Sequence, residues 1–342
     1  MLKGLKKELR GLKKQFGDAR RTRIVNQKPP VEAQSLQENK IVTNTPTEHS
    51  LNLLTLSLNN SLLWTTQEKL TNTVKETLAF SHLLAPDKSE AFYLLTEAGK
   101  VFASTLENRS SRAKMLSSLL PKSSQQEQII ANFFLPENPN ELDLILLSST
   151  GKIKRLSAHE LESIGSRGVS LMKLKENETL CQALLHQAGK HFVIATSRGR
   201  ILNLGTNLDS LAITGRTAQG NQALNLSRDE HIVGIGSISA EDELLLISQQ
   251  GYLKRLPLSS LRICTLGAIG AIALSFTQKN DQLVAMLTSG HSDTFLLLTS
   301  LNRSLKINFA SISTQDRNSP GELLSTLKTN ETIKLAKTQN FS

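Results

Sequence analysis

From residue 51 onward, one short pattern occurs six times, and this repeat restricts the possible folds more than any other feature of the sequence. Each copy has four or five apolar and β-branched residues, a polar turn with Gly or Asn, and a second segment that opens with a basic or polar residue. Strand formers on both sides of a residue that tolerates positive φ predict a β-hairpin. The six turn residues are Asn60, Gly99, Gly151, Gly199, Gly251 and Asn302.

Two further elements recur between the later hairpins. A Gly-containing segment occurs near Gly168, Gly220, Gly270 and Gly321. An apolar strand preceded by an acidic residue then follows, at Glu178, Glu230, Asp281 and Glu331. Four strands at a period near fifty residues predict an all-β radial fold, a six-bladed propeller-like disc over residues 51–335. Two stacked β-sandwiches are the alternative, which the repeated order of all three elements disfavours.

The first fifty residues have a different pattern. Apolar residues at spacings of three and four predict an amphipathic basic helix within residues 1–25, formed over residues 2–17. Its apolar stripe consists of Leu2, Leu5, Leu9, Leu12 and Phe16. Residues 26–50 contain Pro29, Pro30 and Pro46 among many polar residues and predict a linker. Residues 336–342 are expected to be a short tail.

The net charge of +10 favours a polyanionic partner, but it is unevenly distributed. Residues 1–23 contain nine Lys or Arg against Glu8 and Asp18, which leaves only +3 for the remaining residues. A nucleic-acid surface on the repeat region therefore requires basic side chains to be collected on one face.

Several classes of function are disfavoured. Cys181 and Cys264 can form neither a disulfide framework nor a four-ligand zinc site, and His186 and His191 lack metal-ligand spacing. We expect no metal and no cofactor, because there is also no phosphate-binding Gly-rich loop. Aromatic residues make up 4% of the chain, too few for broad base stacking. No apolar run is long enough to span a membrane, so we expect a cytoplasmic location.

Particular repeat segments resemble a known family. They are the sequences that begin at Gly151 (Gly-Lys-Ile-Lys-Arg-Leu), Arg198 (Arg-Gly-Arg-Ile-Leu), Gly215 (Gly-Arg-Thr-Ala-Gln-Gly) and Gly251 (Gly-Tyr-Leu-Lys-Arg-Leu-Pro-Leu-Ser). They resemble the C-terminal domain of the A subunit of DNA gyrase and of its topoisomerase IV relative. Residues 16–22 resemble the end of the coiled-coil helix that precedes that domain. The resemblance implies a six-bladed β-pinwheel, whose blades exchange strands and whose basic rim binds and bends duplex DNA.

Two departures from the family pattern affect what the resemblance implies. The family's DNA-linking tyrosine, in an Arg-Tyr pair, would lie upstream of residue 1, and neither Tyr93 nor Tyr252 follows an Arg. We therefore expect no DNA cleavage or ATP turnover by this chain alone. The gyrase box Gln-Arg-Arg-Gly-Gly-Lys/Arg-Gly is replaced near residues 71–78, which favours DNA bending over roughly blades three to five without a full wrap.

Lys and Arg at or near the turns and intervening loops are the candidate phosphate contacts. Because equivalent turns of a radial fold point the same way, we expect these bases on one rim and the acidic residues before the third strands elsewhere. The candidates are Lys100, Arg109, Arg112, Lys114, Lys152, Lys154, Arg155, Arg167, Arg198, Arg200, Arg216, Lys254, Arg255, Arg303 and Lys306.

The sequence thus predicts a sequence-independent, DNA-binding and DNA-bending domain or companion subunit of a bacterial-type type IIA topoisomerase, associated with the nucleoid. The expected partners are double-stranded DNA and the catalytic A-type and ATPase B-type topoisomerase subunits. A protein-binding propeller scaffold without a DNA role is the alternative, because the repeat region has little excess charge.

Overall fold

The structure, a computed structural model, describes Arg10, Lys14 and most of the chain from Leu53 to Thr338. The described ranges are 53–58, 60–65, 79–83, 91–106, 112–136, 138–206, 208, 210–289 and 293–338. The chain divides into two compact units, Met1–Thr45 and Pro46–Ser342. Arg10 and Lys14 are helical and exposed, whereas the rest of the predicted helix and the predicted linker lie outside the described residues.

Every predicted hairpin is present as a pair of antiparallel strands, and every predicted turn residue has positive φ, from 55° at Asn302 to 90° at Gly251. The hairpins are β1 (Leu53–Ser57) with β2 (Ser61–Thr65), β4 (Ala91–Thr96) with β5 (Lys100–Thr105), β8 (Leu142–Ser148) with β9 (Lys152–Ser157), β12 (His191–Thr196) with β13 (Arg200–Asn203), β16 (Glu243–Ser248) with β17 (Tyr252–Pro257), and β20 (Thr294–Thr299) with β21 (Ser304–Asn308).

A third strand pairs with the first strand of each hairpin. These strands are β3 (Ala79–Leu83), β7 (Ile129–Phe134), β11 (Leu180–Gln187), β15 (Ile232–Ile238), β19 (Leu283–Thr288) and β23 (Ile333–Thr338). From β7 to β23, each third strand packs beside the next, so these strands surround the axis of the disc. The last strand extends three residues into the predicted tail.

The fourth strand of a blade is supplied by the following repeat. β6 (Lys114–Met115) lies in the chain between two strands of blade 2, yet it pairs with β2 of blade 1. The fourth strands of blades 2 to 5 are β10 (Val169–Ser170), β14 (Asn221–Gln222), β18 (Ala271–Ile272) and β22 (Glu322–Leu323). Among the described residues, blade 6 has three strands. The arrangement confirms the six-bladed, strand-exchanged all-β fold.

The fourth strands lie opposite the axis, and each follows a surface loop. We call these segments the outer edges of blades 1 to 5; they comprise residues 112–115, 165–170, 213–222, 263–272 and 314–323. Short 3-10 helices also interrupt the loops, at Leu116–Leu119, Lys122–Ser124, Pro139–Glu141, Ala158–Leu161, Leu258–Ser260 and Phe309–Ser311.

The hydrophobic core is divided among the junctions between blades. Tyr93 and Leu144 share one buried cluster at the junction of blades 2 and 3, and Leu245 and Phe295 share another at the junction of blades 5 and 6. Leu296 of blade 6 lies in the cluster that contains blade 1 residues, so the ring is closed by apolar packing. Burial of apolar side chains between neighbours therefore stabilises the ring and holds the turns in equivalent positions.

Candidate nucleic-acid interface

The first group of candidate bases directly follows a hairpin turn. In blade 3, Gly151 has φ 82°, and a Cβ there would lie 2.4 Å from the carbonyl oxygen of Leu224. Glycine is required at this position because both the conformation and the close approach exclude a side chain. The tight turn places the next residue, Lys152, beside the loop that leads to the third strand.

Lys152 does not point freely into solvent. Its Nζ lies 3.5 Å from Glu178 Oε2, a carboxylate that also accepts hydrogen bonds from Ser148 Oγ (2.7 Å) and Thr150 Oγ1 (2.5 Å). Burial alone would raise the pKa of Glu178, but the hydrogen bonds from Thr150, the Lys175 N–H and Ser148, with the charge of Lys152, lower it to about 2. This ion pair connects the hairpin turn to the segment that precedes the third strand.

An equivalent ion pair occurs in three other blades. The paired bases and acids are Lys100 with Glu127 (3.2 Å), Arg200 with Glu230 (2.6 Å), and Arg303 with Glu331 (2.6 Å). The expectation that the acidic residues lie away from the basic turns is therefore wrong. The third strand pairs with the first strand of its own hairpin, which brings the acid that precedes it back to the turn. We call these four pairs the turn latches.

Blade 5 has no turn latch. Tyr252 occupies the basic position, and the acid is the shorter Asp281. Asp281 Oδ1 accepts from the backbone N–H groups of Gln250 (3.0 Å) and Gln282 (2.8 Å). Its other oxygen is buried without a hydrogen-bond partner among the described residues.

A second group of candidate bases lies farther along the second strands or in the outer edge of blade 3. Arg155 pairs with Asp143 (2.7 Å), Arg255 with Glu243 (2.9 Å), and Arg216 with Glu160 (3.2 Å). These three arginines are half-buried, and each guanidinium joins two segments of the fold. Partly buried, paired charges of this kind are poorly placed to attract a phosphate.

Lys154 and Lys254 are buried, contrary to their predicted role as DNA contacts. Their residues are 1% and 0% exposed, and each Nζ donates hydrogen bonds to backbone carbonyl oxygens of an outer edge. Burial lowers the pKa of each lysine to about 8, although Glu160 and Asp316, respectively, oppose that shift. An enclosed ammonium cannot contact a phosphate, so we remove both residues from the set of candidate DNA contacts.

The remaining candidates are exposed. Lys100 is exposed at its turn latch, whereas Arg112, Lys114 and Arg167 lie on the outer edges of blades 1 and 2. Arg198, in the turn of blade 4, and Lys306, on β21, are also exposed. Arg109 lies outside the described residues. Among the exposed candidates, three thus lie on two neighbouring outer edges, and the others are spread over blades 2, 4 and 6.

Other exposed bases were absent from the sequence-based set. Lys122 follows the outer edge of blade 1, and Lys173 and Lys175 follow that of blade 2. The repeat contained a usable signal for Lys173 and Lys175, which lie within about ten residues of the segment near Gly168, but not for Lys122, near which no such segment was predicted. Exposed bases also occur in the repeats of blades 4 to 6, at Arg228, Arg262, Lys279, Lys328 and Lys334. The sequence-based prediction missed these positions because a Lys or Arg directly follows the turn in most repeats. The turns therefore appeared to be where basic residues recur.

The outer edges of blades 4 and 5 have a different chemistry. Four of their apolar side chains are more than half exposed: Ile263, Ile269, Ile272 and Leu323. The equivalent fourth-strand position is Ser170 in blade 2 and Gln222 in blade 3. Exposed apolar side chains are thus most numerous on the outer edge of blade 4, although Met115 in blade 1 and Ile213 in blade 3 are also more than half exposed, and the exposed Arg262 adjoins Ile263.

Neither tyrosine has the surroundings of a nucleophile. Tyr93 is buried against Phe133, and burial raises its pKa above the ordinary value. Tyr252 is half-buried on β17. Within the described residues, no group of three or more His, Cys, Asp or Glu side chains could hold a metal ion. Nor does any helix there have the length and apolarity needed to cross a membrane.

Comparison with known proteins agrees with this fold. A family model described as "DNA gyrase C-terminal domain, beta-propeller" matches residues 142–184, 190–239 and 242–289. The chain is also similar to two solved structures. It covers 92% of the C-terminal domain of DNA topoisomerase IV with a TM-score of 0.68, and 99% of the DNA gyrase A C-terminal domain with a TM-score of 0.65. These matches span 84% of this chain at 16% and 18% identity, respectively.

Curated relatives show the same similarity at the level of sequence. The chain is 38% identical over 182 residues, half of its length, to the A subunit of DNA topoisomerase 4 from Synechocystis sp., of which the match covers 20%. It is 24% identical over 331 residues, 95% of its length, to the A subunit of DNA gyrase from Buchnera aphidicola, of which the match covers 39%. The chain thus spans a fifth to two fifths of these relatives. The family model thus matches blades 3 to 5, and the disc has the fold of the C-terminal domains of gyrase A and topoisomerase IV.

Proposed function

We propose that this protein binds and bends duplex DNA as the C-terminal domain, or as a separate companion, of the A subunit of a type IIA topoisomerase. The fold and the named relatives support that class. The observation that carries the proposal is the group of exposed bases Arg112, Lys114 and Arg167 on two neighbouring outer edges. Lys and Arg at spaced positions bind the phosphate backbone without reading the base sequence.

The contact surface in this proposal differs from the one expected from the sequence. Bases predicted to bend DNA over blades three to five are mostly ion-paired or buried, Arg198 being the exposed exception. DNA would instead lie first against the outer edges of blades 1 and 2. The apolar outer edges of blades 4 and 5 offer no phosphate contacts at their most exposed positions, so the bound path would remain shorter than a full circle.

The proposal is tested by the salt dependence of duplex binding. Each phosphate contact adds about 0.9 to the slope of log affinity against log salt. Because residues 1–23 carry nine bases, the full chain must be compared with a variant in which all nine of these Lys and Arg residues are Gln. A slope of three or more that persists in this variant supports DNA binding by the disc. A slope near zero in the variant would contradict it.

A protein-binding scaffold is the second candidate function, and one observation favours it. Exposed Ile263, Ile269 and Ile272 form an apolar outer edge on blade 4, and such surfaces often mark contacts between proteins. Substituting Ile269 and Ile272 with Ser separates the two functions. DNA affinity should be unchanged in this variant if the bases carry the function, and a scaffold should lose its partner.

Cleavage and ATP use would be supplied by other subunits. In the proposed assembly, the catalytic A-type region contributes the DNA-linking tyrosine and the B-type subunit hydrolyses ATP, while this disc positions DNA. A short path favours relaxation or decatenation over the introduction of negative supercoils, because bending alone costs several kcal/mol that only continued contacts offset. Ligation of a nicked plasmid in the presence of the protein should leave little change in linking number.

A further inference from the structure

The buried ammonium groups of Lys154 and Lys254 have no part in the proposed DNA contact. Lys154 Nζ donates to the carbonyl oxygens of Leu171 (2.5 Å), Arg216 (3.0 Å) and Ala218 (3.2 Å). Two of these acceptors belong to the outer edge of blade 3, a segment that the chain contributes after it has already formed the hairpin of blade 4. The ammonium thus joins blade 3 to chain supplied by the next repeat.

Lys254 repeats the arrangement in blade 5. Its Nζ donates to the carbonyl oxygens of Asp316 (2.8 Å), Arg317 (2.9 Å) and Ser319 (2.7 Å). All three acceptors belong to the outer edge of blade 5, which is supplied by the repeat of blade 6. Hydrogen bonds to a charged donor are stronger than neutral ones, and their loss in a buried site leaves several acceptors unsatisfied.

Blade 4 has the same backbone path without the lysine. Equivalent amides donate to the second strand in all three blades: Thr214 to Arg155 O (2.9 Å), Cys264 to Asn203 O (2.7 Å), and Gln315 to Arg255 O (2.9 Å). The side chain at the lysine position, however, is the buried Leu202. The outer edge of blade 4 instead receives one side-chain hydrogen bond from Arg200, to Ile269 O (2.6 Å), at an exposed position.

We propose that Lys154 and Lys254 are positioning residues that lock the strand exchange in blades 3 and 5, so that the outer edge of blade 4 opens before theirs. Blades 3 with 4 and 5 with 6 then behave as two stiff pairs, and the softer exchange in blade 4 joins one pair to the other. This inference concerns the ring itself and does not depend on DNA binding.

Amide hydrogen exchange by NMR on the full chain tests the inference, because Thr214, Cys264 and Gln315 report on the three blades in equivalent positions. Cys264 should exchange at least about tenfold faster than the other two amides. Lys154→Met should accelerate Thr214 by a similar factor and leave Gln315 unchanged, and Lys254→Met should do the reverse. Leu202→Met is the matched control and should alter neither amide.

Two further measurements apply if a methionine variant fails to fold. Leu202→Lys should slow the exchange of Cys264 by providing blade 4 with the missing ammonium. In Lys154→Ala, n-propylammonium should restore protection of Thr214, whereas n-propanol should not, because only the former supplies the lost charge. Equal exchange at the three amides in the native protein would overturn the inference. It would also be overturned by rescue with both additives, or by failure of Leu202→Lys to protect Cys264.

Discussion

The turns of blades 3, 4 and 6 and the outer edges of blades 1 and 2 contain the same residue types in opposite situations. Lys152, Arg200 and Arg303 each meet a buried glutamate, whereas Lys114 and Arg167 extend from edges where their side chains are exposed. A basic residue that recurs in a repeat protein can therefore stabilise the repeat itself instead of binding a partner. In this disc the bases that recur after the turns hold the hairpins to their third strands. The exposed bases, which a polyanion could reach, do not recur at equivalent positions in every blade.

Breaking a turn latch should destabilise the disc strongly. Glu230→Gln removes the charge that neutralises Arg200, whose side chain is only 12% exposed. Removing one member of a buried pair leaves the other uncompensated, and the free energy of unfolding should fall by about 3 kcal/mol. Urea denaturation measures this change. Glu176→Gln, at an exposed position in blade 3, is the control and should cost less than about 0.5 kcal/mol. An equal loss in both variants would show that the latch does not stabilise the disc.

Acid should weaken the latches in a defined range of pH. Burial opposes ionisation of Glu230, but the hydrogen bonds from Arg200, Thr196 and the Ser227 N–H, with the charge of Arg200, lower its pKa to about 2. A carboxylate whose pKa is lower in the folded state stabilises that state above its unfolded pKa, near 4.5, and loses the contribution as pH falls towards 2. The stability difference between native protein and Glu230→Gln should therefore shrink from pH 5 to pH 2, by up to about 3 kcal/mol. A difference that stays constant over this range would contradict the assignment.

Blade 5 allows the comparison to be tested by gain of stability. Tyr252→Arg places a guanidinium at the turn position where the other latches have a base, and the buried Asp281 Oδ2 there has no hydrogen-bond partner among the described residues. The free energy of unfolding should rise by about 1 kcal/mol, as a charge-assisted hydrogen bond replaces an unsatisfied acceptor. Tyr252→Gln has no charge and should give less than half of this gain in the same urea titration. Destabilisation by Tyr252→Arg alone would mean that Asp281 is satisfied in another way.

Much of the fold could be predicted from the repeat. Hairpins follow from apolar runs around Gly and Asn turns, and the acid before each third strand marks where that strand begins. The latch was also present in the sequence as a spacing, because each turn base is followed by a glutamate about 28 residues later, and blade 5 changes both partners together. The turn base and the acid were interpreted as separate features, so their pairing was not predicted.

Which basic side chains are buried and which are exposed could not be predicted in the same way. Strand alternation would place Ile153 and Lys154 on opposite faces, yet both are buried, because the outer edge folds over the lysine from a segment more than sixty residues away. Burial of that kind depends on tertiary contacts that no local pattern contains. For the same reason, the sequence named Arg112, Lys114 and Arg167 as candidates but could not distinguish these exposed bases from the buried ones.

The most direct test compares two triple variants of the full chain on duplex DNA. Arg112, Lys114 and Arg167 are replaced by Ala in one, and Lys152, Arg200 and Arg303 by Ala in the other. Binding is measured across a salt series at a temperature at which circular dichroism shows both proteins folded. The exposed set should lower the slope of log affinity against log salt by about 3, at about 0.9 per phosphate contact, and the latched set by less than about 1. A larger loss from the latched set would show that the turns, and not the outer edges, bind DNA.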